Sequence, residues 1–151
     1  MKRLTIISVL FLTVAVLMSS CKKDENQTTD AKTLLTAHKW RLTAYTVNPG
    51  VDAEGDGVIV TDLFAHFFGS GDECMKNTSY EFKADNSMVI IDGCDEYPME
   101  GTWALSSDKK TLTFMEEPQT IVSISENTFK TESKYTEEGV TYVLSSTYAK
   151  F

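Results

Sequence analysis

Polar positions are sparse at the start of the chain. After Lys2 and Arg3, residues 4–18 are interrupted only by Thr5, Ser8 and Thr13. A membrane-spanning helix needs about 20 apolar residues, so this shorter run behind a basic start predicts a cleaved export signal over 1–20. The pattern then inverts. "KKDENQTTD" after Cys21 has no large apolar side chain, and a flexible tether is predicted over 21–33. Within "AKTLLTAHK", residues 31–39, Leu34 and Leu35 precede His38 and Lys39, as in a short helix with cations at its negative pole. From there the period changes. Trp40, Leu42, Ala44 and Thr46 alternate with Arg41, Thr43 and Tyr45, which predicts a half-buried strand with the first set inward, stopped by "NPG". Farther on, "TDLFAHFFGSG" predicts a second short helix with Thr61 as N-cap and an apolar cluster of Leu63, Phe64, Phe67 and Phe68.

Seven alternating runs follow: 78–83, 87–92, 99–105, 111–115, 119–125, 128–135 and 140–149. "ADN", "SSDKK", "SEN" and "TEEG" supply turns between them. In the first hairpin, a tip at Asp85 and Asn86 sets Ala84 opposite Ser87. The inward face is assigned Tyr80 and Phe82, then Met99, Gly101, Trp103 and Leu105, then Leu112 and Phe114. With the strand at Trp40 there are eight strands. Residues 34–151 are therefore expected to be all-β: an eight-stranded antiparallel up-and-down barrel with one or two short helices, a two-sheet sandwich being the competing arrangement.

Charge narrows the partners. The chain has 14 basic and 22 acidic residues, and loss of Lys2 and Arg3 with the signal would deepen the imbalance. Nucleic acid is excluded as a partner, because phosphate contacts need clustered Lys and Arg. Export to an oxidising compartment makes a Cys74–Cys94 disulfide the default, with the two cysteines in the loops beyond the strands of one hairpin.

The order "SSC" followed by "KKDE" resembles the lipobox of bacterial lipoproteins. That resemblance implies a diacylated Cys21 as mature N-terminus and a membrane partner through the lipid. The lysine-then-acidic order is similar to the export signal of surface-displayed lipoproteins of the Bacteroidota type, so the expected location is the outer membrane, at the cell surface or the periplasmic face. Farther along, "HKWRLTAY", "YEFKADNSMVI" with a cysteine on either side, and "GTWALSSDKKTLTF" resemble, in that order, the lipocalin-like domain family of bacterial lipoproteins over about residues 34–148. The resemblance implies a small barrel. Gly101 and Trp103 are similar to the Gly-x-Trp of true lipocalins, but stand mid-chain rather than on the first strand.

Catalytic constellations are thin. His38 and His66 lack an HExxH spacing, and no G-x-S-x-G elbow, phosphate loop or CxxC occurs, so no enzyme is expected. Asp52, Glu54 and Asp56 alternate before Gly57, like the first half of a calcium loop. The twelfth position is Leu63 rather than Glu, and a solvated acidic loop is the simpler reading; no other cofactor is expected. An eight-stranded barrel is either filled by side chains or holds one small ligand. Trp40, Phe82, Trp103, Phe114 and Tyr142 are the candidate ligand-binding residues, the indoles offering apolar walls with an N–H each and the tyrosines meeting a polar end. Binding of a small apolar molecule at the cell envelope is thus expected. The alternative is an interaction module whose 46–77 insertion contacts a partner outer-membrane protein through Phe64, Phe67 and Phe68.

Overall fold

Alternating apolar positions become strands wherever one face can be buried, and here eight such runs curl until the last pairs with the first. The computed structural model describes residues 30–69, 73–94 and 97–151. The export signal, Cys21 and the tether as far as residue 29 lie outside the described residues. Helix α1 (Ala31–Thr36) comes first, followed by β1 (Lys39–Asp52), β2 (Ile59–Asp62), α2 (Leu63–Phe68) and α3 (Glu73–Asn77). The remaining strands are β3 (Ser79–Phe82), β4 (Ser87–Ile91), β5 (Met99–Leu105), β6 (Thr111–Phe114), β7 (Glu117–Ile124), β8 (Thr128–Glu137) and β9 (Val140–Lys150). Every pairing is antiparallel. The order β1-β3-β4-β5-β6-β7-β8-β9 is closed by β9 on β1, with β2 added alongside β1. The fold is therefore a closed eight-stranded barrel with one extra strand and three short helices. Among the described residues no helix is long and apolar enough to cross a membrane.

Helix α1 lies at the base, where the hairpins at 84–86, 106–110 and 125–127 turn. Leu34 and Leu35 are buried, Lys32 Nζ donates to Asn86 Oδ1 at 3.0 Å, and Lys109 pairs with Asp30. Fully burying a large apolar side chain contributes about 1.5–3 kcal/mol, so Leu35, Trp40, Phe82, Met88, Leu112 and Phe129, each almost inaccessible, form the main stabilising cluster. Beside α1, β1 meets β3 only through Lys39 and Trp40. Phe64 of α2 and Met75 of α3 pack against the core above that level.

Five local expectations need correction. A bulge in β1 changes the partner offset between Leu42↔Tyr148 and Ala44↔Thr147. One extra residue flips every later side chain to the other face, so Tyr45 and Val47 point inward, and Ala44 and Thr46 do not. The strand also runs through Pro49. The β9 ladder ends at Asn48↔Val143, and the β2 ladder is irregular between Thr46 and Val51, so the missing proline N–H leaves no gap in either. The tip of the β3–β4 hairpin has three residues, with Phe82 opposite Met88, Lys83 N bonded to Ser87 O at 2.9 Å and Asn86 at φ 69°. Asn tolerates that left-handed conformation. The N-cap of α2 is Asp62, not Thr61, its Oδ1 accepting from Ala65 N at 2.9 Å. Finally, α1 ends at Thr36, and His38 lies outside it, edge-on to Trp40 at 6.2 Å.

Candidate functional site

The barrel interior divides into an apolar base and a hydroxylated mouth. At the base Trp40 meets Phe129 edge to face at 4.9 Å, and Phe82 meets Trp103 at 5.5 Å and Phe114 at 5.8 Å. Such T-shaped pairs suit the ring quadrupoles. Both indole N–H groups are engaged by backbone: Trp40 Nε1 donates to Leu35 O and Trp103 Nε1 to Lys83 O, each at 2.9 Å. Trp40, Phe82, Trp103 and Phe114 are thus brought together as packing. Neither indole keeps the free donor expected for a ligand. Tyr142, the fifth candidate, stands apart at the mouth.

Three of the six tyrosines, Tyr45, Tyr135 and Tyr142, line the mouth, while Tyr80 and Tyr148 lie lower, beside Trp40 and Phe129. The β1 bulge brings Tyr45 opposite Ser146, and the β8–β9 ladder sets Tyr135 opposite Tyr142 and Phe129 opposite Tyr148. Tyr135 and Tyr142 stack at 4.9 Å with planes 16° apart, and Tyr80 meets the Tyr148 ring edge-on at 5.4 Å. Between the Phe129–Tyr148 and Tyr135–Tyr142 levels, Thr131 Oγ1, fully buried, donates to Gln119 Oε1. Burial pushes the Tyr45, Tyr80 and Tyr148 phenols above their ordinary range, helped in turn by Tyr135, Asp92 and Tyr80. All three therefore remain protonated near neutrality.

A cavity of about 640 Å³ opens above these rings, within the size range of small-molecule sites. Tyr45, Tyr135 and Tyr142 form its floor. Val51, Ile59, Leu63, Phe67 and Leu144 supply apolar wall, and Asp52 and Glu137 are its charged side chains. A second hollow of about 560 Å³ lies at the base between α1 and the turns bearing Lys109 and Ser125. It is an outer groove, crossed by the Lys109–Asp30 pair, whereas the mouth cavity continues the barrel interior. The mouth is therefore the candidate site.

The acidic loop has another task. Asp52 Oδ1 accepts from Gly55 N at 2.7 Å and Asp56 N at 3.0 Å, and its Oδ2 accepts from Gly57 N at 2.8 Å. These bonds, that of Gly57 foremost, hold the carboxyl below its usual range. Asp56 Oδ1 accepts from Val58 N at 2.9 Å, while Glu54 Oε1 faces His66 Nε2 at 3.3 Å. Asp52, Glu54 and Asp56 thus share no common partner. Among the described residues no three His, Cys, Asp or Glu side chains are placed to hold a metal ion.

Cys74 of α3 and Cys94, just beyond β4, form a disulfide with Cα atoms 4.9 Å apart. Thr78 Oγ1 reinforces this corner, donating to Cys74 O at 2.8 Å and accepting from Gly93 N at 3.1 Å. Gly93 lies so close to the Cys74 carbonyl that any side chain there would collide with it. The three phenylalanines of the 46–77 insertion separate. Phe64 packs on the core, Phe68 is half-buried against it at 5.5 Å, and Phe67 is 55% exposed at the cavity wall.

Tyr45 and Tyr135 are the site residues that sequence reasoning missed. Tyr135 and Tyr142 are symmetric about the Glu138–Gly139 turn, so fixing that turn would have paired them. Nothing in the period announces the bulge that turns Tyr45 inward.

The family model described as a lipocalin-like domain matches residues 36–131. Among solved structures, a duf4847 family protein from Bacteroides vulgatus is similar at 14% identity and a TM-score of 0.44, over 76% of this chain and 95% of that one. Bovine odorant binding protein in complex with a selenium-containing odorant is similar at 12% identity and a TM-score of 0.40, over 80% and 72%. The same bovine protein with its natural ligand gives 13% and 0.40, over 79% and 72%. No curated protein matches the sequence. Because the matched segment takes in more than half of the chain, from β1 into β8 of the barrel, the chain belongs to the lipocalin-like domain family.

Proposed function

We propose that the protein is a non-enzymatic carrier that takes a small apolar molecule with one polar end into the barrel mouth. The observation that carries this reading is the convergence of Tyr45, Tyr135 and Tyr142 on a cavity whose apolar walls are Val51, Ile59, Leu63, Phe67 and Leu144. Apolar wall supplies affinity and a few placed polar groups supply orientation. The lipobox-like sequence at Cys21 supports the second half of the proposal. Acyl chains on that cysteine hold the carrier at the outer membrane, on the cell surface or the periplasmic face, since two chains anchor durably where one does not.

Native mass spectrometry of residues 21–151 with Cys21→Ser, recovered from an envelope extract without detergent, tests the carrier. A reproducible small-molecule mass lost on gentle activation, and missing from Tyr142→Ala, is the expected result. A bare polypeptide mass overturns it and favours a second reading. There, the insertion at 46–77 docks on a partner outer-membrane protein, a role supported by the exposure of Val58, Ile59 and Phe67.

A further inference from the structure

We infer that the mouth selects its ligand by charge and shape, admitting a flat aromatic amphiphile without negative charge and rejecting anionic ones such as carboxylates and sulfonates. This rests on the carrier reading and narrows it.

The charged side chains lining the cavity, Asp52 and Glu137, are both acidic. The loops framing the opening add Glu54, Asp56 and Glu138. His66, the basic residue of α2, faces Glu54 at 3.3 Å. The inward face of β8 presents Phe129, Thr131, Ser133 and Tyr135, while Lys130 and Lys134 take the alternate, outward positions. An anion moving inward thus meets carboxylates at the rim and neutral hydroxyls beneath. No inward cation of β8 is there to pair with it, and a charge without a partner is costly to bury. Burial keeps Tyr45, which lines the cavity, protonated, so its phenol acts as a donor to a neutral acceptor. Shape follows from the stacked rings. Tyr135 is 39% exposed and parallel to Tyr142 within 16°, so a flat ring can extend the stack at the rim.

The test uses two dyes with one skeleton: neutral N-phenyl-naphthylamine and its anionic relative, anilinonaphthalene sulfonate. Each is titrated by fluorescence into residues 21–151 carrying Cys21→Ser, which span every described element of the fold. The neutral dye is expected to bind at least about tenfold tighter, a gap that narrows at high salt because rim charges are screened. Glu137→Lys should narrow it by strengthening sulfonate binding. Tyr142→Ala should weaken the neutral dye by about tenfold, and Tyr135→Ser, at a more exposed position, repeats that check if the first variant does not fold. Equal or tighter sulfonate binding overturns the charge selection and leaves the carrier intact. Neutral-dye binding that ignores both tyrosine variants overturns the assignment to the mouth. Failure of both dyes to bind overturns the carrier reading itself.

Discussion

Trp40 has no surface left to offer a ligand, for its ring is fully buried and its N–H is bonded to Leu35 O at 2.9 Å. Trp40→Phe keeps most of the apolar contact but strands that carbonyl at the base. An unsatisfied buried acceptor costs about 1–3 kcal/mol, and urea unfolding should show a loss of that order. A loss below about 0.5 kcal/mol would mean that the Leu35 carbonyl reaches water. Three tyrosines of the interior carry a pH signature. The folded-state pKa values of Tyr45, Tyr80 and Tyr148 lie above their ordinary values. Between those limits the unfolded chain holds fewer protons than the folded one, so stability falls as pH rises. Their contribution is intact below about pH 10 and lost above it. In an alkaline titration, tyrosinate absorbance from these residues should rise together with loss of tertiary fluorescence. Full ionisation before unfolding would show that the rings are hydrated.

Elements were legible where their pattern was local. The strand predicted at 99–105 is β5, Met99–Leu105, because Gly101, Trp103 and Leu105 alternate with polar or small residues and a turn follows. What stayed hidden depended on partners distant in sequence. The Thr43 bulge exists because β1 must follow β9, and Pro49 could remain in a strand because both ladders lapse beside it. Helix α3, whose sequence is ECMKN, has no buried residue; its disulfide and the Cys74–Thr78–Gly93 bonds hold its place. That account has a measurable consequence. Closing a loop with a separation of 20 residues contributes about 3 kcal/mol in the chain-entropy treatment. Cys94→Ser or reduction should lower the urea-derived stability by about that much. A shift near zero would mean that packing of Met75 and the Thr78 bonds suffice.

At the scale of the whole molecule, the eight barrel strands, their order and closure could be reasoned from the chain, though not the added β2, and the lipocalin-like resemblance pointed to the same barrel. The site could not. Its tyrosines at 45, 135 and 142 come from three strands, β1, β8 and β9, and meet only once β9 closes on β1, so no short window of sequence contains them. Membrane attachment is the opposite case, argued from local residues outside the described structure. Cys21→Ala should abolish labelling by a palmitate analogue and release the protein from the membrane fraction, and unchanged fractionation would remove the anchor from the proposal. Closure has one more effect, on how copies of the chain behave together. Among the described strands β2 is the one with a single partner, and an unpaired strand flank is where another chain can continue a sheet. Here that flank is four residues long, opposite a ladder break, and ends in Asp62. Even at high concentration, a neighbouring copy finds too little backbone on it to seed a fibre.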